Sequence, residues 1–246
     1  MATFLGDRAA GGRLHFNGPV SATKACADRR ILTLSFPLIP SQIMPLNITH
    51  GPILAVFFQA TAAEVQHGRR WYDDAREFCQ NLASQYGLTL EATAGVVAAL
   101  SPNNRWERNL VDAENLCRAF SLGSLADAEQ IKVATFNANK TKALQILAGA
   151  TPLAVLGGLK VQAFYCCILG NTVASVCVDG HAYAIWRGEH ITTTNTPKIS
   201  PILYAAIAAD YARAAETING IIGTEFSAAQ VQAITWTAWR RIVREK

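Results

Sequence analysis

One stretch constrains this chain more than any other: residues 152–186, which read PLAVLGGLKVQAFYCCILGNTVASVCVDGHAYAIW. It opens on an apolar turn ending in Gly157-Gly158, carries Lys160, and continues as an apolar helix expected over Val161–Leu169. After a short loop comes Val178-Asp179-Gly180-His181, the expected start of a further helix, His181–Arg187. A glycine turn at a helix start leaves backbone N–H groups unpaired, and such groups suit a phosphate. Lys160 falls in the first turn of an otherwise apolar helix, where desolvation would favour the neutral, nucleophilic amine. Asp179 follows Val176-Cys177-Val178, so it should emerge from the core and not from a solvated loop.

The chain from Pro52 onward reads as helical throughout. A broad apolar face predicts a helix over Ile53–Gln66, stopped by His67-Gly68. Trp71, Phe78, Leu82 and Tyr86 recur at helical intervals over Arg70–Tyr86, with Gly87 as the C-cap signal. Thr89 opens a small-residue helix, Ala94–Leu100, which Ser101-Pro102 ends because a residue before proline avoids the helical region. Further helices are expected over Asn104–Phe120, around Ala126–Ile131, and over Asn139–Ala148. After a polar loop, Glu189–Lys198, come Ile199–Glu216 and Ser227–Glu245, the last with Trp236, Trp239 and the basic cluster Arg240, Arg241, Arg244. Residues 1–45 differ: glycines, single charges, Pro37 and Pro40 break any helical period, leaving one strand-like run over Arg30–Phe36. Met44 is the one methionine after Met1, so 1–43 is either an extension ahead of a natural start or a small strand-bearing cap. The expected organisation is an extension, 1–45, and a helical domain, 46–246.

Half of the 246 residues are hydrophobic and 16% are charged, a composition that buries a core and excludes disorder. A net charge of +4 permits nucleic-acid binding without requiring it. The six cysteines (26, 79, 117, 166, 167 and 177) form neither C-x-x-C zinc pairs nor an iron–sulfur run. They read as reduced, buried thiols of a cytoplasmic protein with no metal cofactor. No apolar run reaches membrane-spanning length, and with Asp7, Arg8 and several glycines ahead of any apolar segment the N-terminus does not read as a signal peptide.

At Lys160 and Asp179 the sequence resembles the helix-hairpin-helix DNA glycosylase superfamily. Lyase-active members carry a glycine hairpin ending in lysine, an apolar helix, and an aspartate in a V-D-x-H-like segment. Asp179 follows Lys160 by 19 positions, the spacing of the 8-oxoguanine glycosylase branch. Upstream, Ser101-Pro102-Asn103-Asn104-Arg105 and Asn115–Phe120 are similar to that branch's asparagine-rich loop and following helix. The resemblance covers roughly Thr61–Arg187. Two features depart from it: Leu156-Gly157-Gly158-Leu159 shifts one hairpin glycine, and no N-terminal β-lobe is visible.

The resemblance implies an all-α, two-lobed helix-hairpin-helix fold, with a site between the lobes and an irregular or short-strand N-terminal extension. It implies a monomeric DNA N-glycosylase with AP-lyase activity on double-stranded DNA, and no membrane partner. Lys160 would form a Schiff base with the sugar and Asp179 would stabilise its positive charge. Gly157 and Gly158 would cradle the DNA backbone, with a monovalent cation at the hairpin as the one candidate ion. Asn103 would enter the duplex as a wedge, and Asn104, Arg105, Arg108 and His181 would share the DNA face. Each has a plainer role. Lys160 can be a surface lysine, Asp179 the N-cap of the His181 helix, and Asn104 another N-cap. Arg105 and Arg108 can be solvated charges, and His181 a structural residue or a phosphate neighbour. Trp71, Trp106, Phe164 and Tyr165 could line a base pocket, with core packing the default for each. Two rival functions keep the fold: an enzyme of hypermodified-base metabolism, and a non-catalytic DNA-binding module.

Overall fold

The computed structural model describes residues 49–172 and 175–244, which form eleven α-helices and, among the described residues, no strand. In order these are α1 (Gly51–Phe57), α2 (Ala62–Tyr86), α3 (Leu90–Leu100), α4 (Trp106–Leu122), α5 (Leu125–Gln130) and α6 (Asn137–Leu147). They continue as α7 (Pro152–Val155), α8 (Leu159–Ile168), α9 (Gly180–Arg187), α10 (Pro201–Ile222) and α11 (Ala228–Ile242). The strand-like run at Arg30–Phe36 and the Met44 boundary lie outside the described residues.

Local chemistry sets most helix ends. Thr89, Ser200 and Ser227 accept hydrogen bonds from backbone N–H groups at the starts of α3, α10 and α11. Gly87 ends α2 in the left-handed conformation, as its position in the sequence requires.

The expected helix Ile53–Gln66, with its stop at His67-Gly68, is replaced by two helices divided elsewhere. Thr61 begins α2: its hydroxyl accepts from Glu64 N–H, and the Glu64 carboxylate accepts from Thr61 N–H. The chain therefore breaks at residues 58–61, and α2 runs unbroken through Gly68.

Two hydrophobic cores result. The first gathers Cys79, Val96, Leu100, Leu116, Ile146 and Ile168 from α2, α3, α4, α6 and α8. The second gathers Ile53, Phe57, Ile185, Ile207, Tyr211 and Ile218 from α1, α9 and α10. Helix α11 serves both, giving Ala229 and Ala233 to the first and Val231, Ile234 and Ala238 to the second. Its line of contact with α2 is the joint between the cores. There Gly68 lies so close that a Cβ on it would stand 2.4 Å from Ile234 Cα and 2.5 Å from Ile234 N. One turn on, the Tyr72 hydroxyl donates to Gln232 Oε1 at 2.9 Å, both residues buried. At the far end Arg241 grips Glu64 with Nε–Oε1 at 2.9 Å and Nη2–Oε2 at 3.1 Å. The Arg241 hydrogen bond holds the Glu64 carboxyl below its ordinary value, against the upward pull of burial.

Gly68→Ala should lower stability by about 2 kcal/mol or more, because α2 and α11 must part to admit a methyl group. Chemical denaturation measures this, and a neutral result would mean that the helices can slide apart freely. A second expectation concerns acid. Glu64 is depressed in the folded state, so its pairing stabilises above pH 4.5 and that contribution is lost as pH falls through the folded value. Glu64→Gln should therefore be less stable than wild type at neutral pH, with the gap closing as denaturation is repeated at lower pH.

Candidate functional site

The glycine turn lies between α7 and α8. Gly158 is the N-cap of α8 with φ 80°, a backbone conformation that favours glycine, and it offers no side chain to the exposed N–H groups. Gln162 Nε2 donates to Leu156 O at 2.9 Å and closes the turn from within. Lys142 reaches the same turn, with its Nζ 3.1 Å from where a Gly157 Cβ would stand. At the other end of α8, Arg76 Nη1 donates to Leu169 O at 2.9 Å. Lys160 is the second residue of α8, and it is exposed at the rim of a cavity. Desolvation by the protein, expected from the apolar helix, is thus corrected: the greasy face of α8 turns to the core through Phe164, Cys167 and Ile168, while the lysine turns out. Its Nζ makes no hydrogen bond or ion pair among the described residues.

Asp179 reaches the same cavity by a different route. Residues 175–179 are not helical, and their side chains alternate: Val176 and Val178 are buried, whereas Cys177 and Asp179 line the cavity. Asp179 Oδ1 accepts from Ala182 N–H at 2.8 Å and so caps α9, as the plainer expectation had it. Its other oxygen has no partner among the described residues. Capping therefore uses half of the carboxylate and leaves half available. Burial, then the Asp179 charge, pushes the Cys177 thiol well above its ordinary value, which makes it a neutral wall and not a nucleophile.

Tyr204 of α10, which sequence reasoning missed, ties the two arms together. Its hydroxyl donates to Val176 O at 2.7 Å, accepts from Val178 N–H at 3.1 Å, and lies 3.4 Å from Leu159 O. One side chain thereby fixes the segment before Asp179 and lies against the start of the Lys160 helix. Burial raises the Tyr204 hydroxyl far above its ordinary value, so it stays a neutral donor and acceptor.

The cavity measures about 940 Å³, within the usual range for small-molecule sites. Trp71, Trp106, Phe164 and Trp236 are among its walls. The Trp71 ring centroid stands 5.3 Å from Trp106 and 5.0 Å from Trp236, and Phe164 meets Trp106 edge-on at 6.1 Å. Three of the four aromatic residues expected in the core thus also face open space; Tyr165 alone is purely core. His181 lines the cavity as well, its ring perpendicular to Trp236 at 6.3 Å. Trp236 belongs to a stripe on α11, with Gln232 one turn before it and Arg240 one turn after; these three and Arg244, just past the end of the helix, line the cavity. The four-residue spacing of glutamine, tryptophan and two arginines was visible in the sequence and points to one helix face. The Arg240 guanidinium lies over the Trp236 ring at 4.7 Å.

The asparagine-rich loop forms a further side of the cavity. Asn103 is exposed and, among the described residues, is the one non-glycine with positive φ, 55°. Asparagine tolerates that region better than most residues. Asn104 is not the N-cap of α4; that position falls to Arg105, and the helix starts at Trp106. Asn104 Nδ2 instead donates to Asp112 Oδ2 at 3.1 Å. Asp112 is fully buried and also accepts from Arg108 Nε at 2.8 Å and from Ala134 N–H at 2.8 Å. Sequence reasoning passed it over, since an aspartate in mid-helix gives no sign that a loop will fold onto it. Arg108 is therefore paired through Nε with a buried carboxylate while its side chain stays half exposed. Arg105 and Asn104 line the cavity; Asn103, Arg108, Gly157 and Gly158 stand outside its lining.

Among the described residues no group of histidine, cysteine and carboxylate side chains could hold a metal ion, and no helix is long and apolar enough to cross a membrane. The five described cysteines are free thiols, and burial pushes Cys79, Cys117 and Cys167 up to about 12.

Residues 43–243 match the family of unknown function DUF7178, and the chain belongs to that family. No curated protein and no solved structure matches the chain.

Tyr204→Phe should loosen the site locally. It strands the buried Val178 N–H, a loss of about 1–3 kcal/mol. Hydrogen exchange should speed up at residues 159–162 and 176–179 while α3 and α6 keep their protection. A uniform change across all helices would show that Tyr204 only supports general packing.

Proposed function

We propose that the protein is a DNA N-glycosylase with AP-lyase activity, built on a helix-hairpin-helix glycosylase-like fold and acting on a damaged or modified base in double-stranded DNA. The observation that carries this reading is the meeting of Lys160 and Asp179, from separate elements, on one cavity with several aromatic walls. The glycine turn, the 19-residue spacing and the two cores agree with it.

The chemistry follows from what each group can do. A nucleotide turned out of the duplex places its base among the rings and its sugar at the rim. Lys160 Nζ adds to C1′ as the C1′–N bond breaks; the base leaves with the bonding pair and takes the proton shed by the new ammonium. The free oxygen of Asp179 faces the positive charge that develops on the sugar. The nitrogen lone pair then opens the sugar ring, O4′ takes a proton, and a protonated Schiff base remains. Removal of a C2′ proton from that intermediate sends electrons to the C3′–O bond and releases the 3′ phosphate. Water exclusion around the exposed lysine is supplied by the bound nucleotide itself. Backbone N–H groups at the start of α8 and the cations Arg105, Arg240 and Arg244 suit the flanking phosphates.

Lys160→Gln should abolish borohydride trapping on abasic DNA while duplex binding changes by no more than a few fold, because the amine is one cation among several. Trapping that survives would remove Lys160 from the mechanism. Asp179→Asn keeps the cap on α9 and so should melt almost as wild type. Its single-turnover excision should fall by about two orders of magnitude, the effect of losing roughly 3 kcal/mol of charge stabilisation. Unchanged excision would reduce Asp179 to a cap.

A further inference from the structure

Among the described residues, three side-chain atoms are buried without a hydrogen-bond partner: His50 Nδ1, Ser121 Oγ and Asn109 Oδ1. Of their residues, Asn109 alone lines the cavity. It sits one turn into α4, 1% exposed, and its Nδ2 donates to Val97 O of α3 at 3.1 Å. That bond fixes the orientation of the amide, since only the NH₂ end can meet a carbonyl oxygen. The Oδ1 end is left as a bare acceptor. An unpaired buried acceptor costs a folded protein about 1–3 kcal/mol, and such groups are few in native structures. Asn109 belongs to the lining of the cavity, so a ligand that brings a donor to that side can satisfy the oxygen.

We infer that Asn109 is a specificity-determining residue whose Oδ1 receives an N–H of the base entering the cavity. This rests on the glycosylase reading above. Neighbouring groups sharpen the selection. Trp106, three residues before Asn109 on α4, and Phe164 present apolar faces that suit a flat ring and cannot substitute for the missing donor. The Gln232 carbonyl oxygen is already taken by the Tyr72 hydroxyl. A base carrying N–H at the matching edge gives this oxygen its partner. The same base with that nitrogen methylated brings no donor, and a base with a lone pair there sets acceptor against acceptor. The substrates are thus bases whose recognised edge includes a ring N–H or exocyclic NH₂.

The test uses the full chain and duplexes carrying uracil, thymine, hypoxanthine or an 8-oxopurine, each beside a counterpart with one N–H replaced by N–CH₃. Single-turnover excision is compared for wild type, Asn109→Leu and Asn109→Ala, neither of which carries an acceptor at that position. Borohydride trapping at an abasic site, which has no base to read, runs alongside. Wild type should prefer one N–H form over its methylated partner by tenfold or more. The variants should lose that preference while trapping abasic DNA within about twofold of wild type, tenfold being equivalent to about 1.4 kcal/mol. A preference that persists in both variants overturns the inference. So does a parallel fall in excision and trapping, which would make Asn109 a packing residue. A wild-type protein that traps abasic DNA but shows no preference overturns it while leaving the glycosylase reading intact; one that neither traps nor excises overturns both.

Discussion

The close approach of α2 and α11 at Gly68 is the constraint from which the rest of the site follows. Only a residue without a side chain lets the Ile234 backbone come so near. That contact joins the two cores along one line and sets the rotation of α11 about its axis. With Ile234 turned toward α2 and the second core, Gln232, Trp236 and Arg240 face the cavity. Trp236 then meets Trp71 of α2, and an aromatic wall forms that neither helix could make alone. The buried Tyr72–Gln232 hydrogen bond locks the register, because a slip of one residue along α11 would strand both polar groups. The intrinsic cost of a mid-helix glycine, about 1 kcal/mol, is small beside what this packing secures.

A second constraint acts on the chemistry. Lys160 and Asp179 lie on elements that do not depend on each other locally: one begins α8 and the other caps α9. Tyr204 stands between them: its hydroxyl holds the chain before Asp179 by two backbone hydrogen bonds and lies 3.4 Å from Leu159 O at the start of α8. Asp112 does similar work across the cavity, where one buried carboxylate draws the asparagine loop, Arg108 and the chain at Ala134 together. Asp179 serves twice: one oxygen holds α9 and the other is without a partner among the described residues.

What the sequence disclosed and what it hid follow from the range of the forces. Short-range signals were legible: Thr89 and Ser227 cap their helices, Gly87 ends one, and Asp179 stands ahead of another because a carboxylate there meets free N–H groups. The glycine turn with Lys160 was legible for the same reason. Gly68 misled, since a glycine reads as a stop until the helix that packs on it is known. Asn104 misled too, as its partner Asp112 lies eight residues on and outcompetes the local cap. Tyr204 was out of reach: its partners are 26, 28 and 45 residues away, and nothing near it in the chain foretells them. The cavity as a whole was half visible: Lys160 and Asp179 stood out by their spacing, whereas the four-residue period on α11 gave no sign of which wall it would join until the two cores met.

The central claim is that Lys160 is the amine that meets the sugar. The most direct measurement is to reduce the full chain with borohydride on abasic duplex DNA, digest the adduct, and find the modified residue by mass spectrometry. The account predicts a single sugar-bearing peptide modified at Lys160. Modification at Lys142 beside the turn, at another lysine or at the N-terminus, with Lys160 intact, would contradict it.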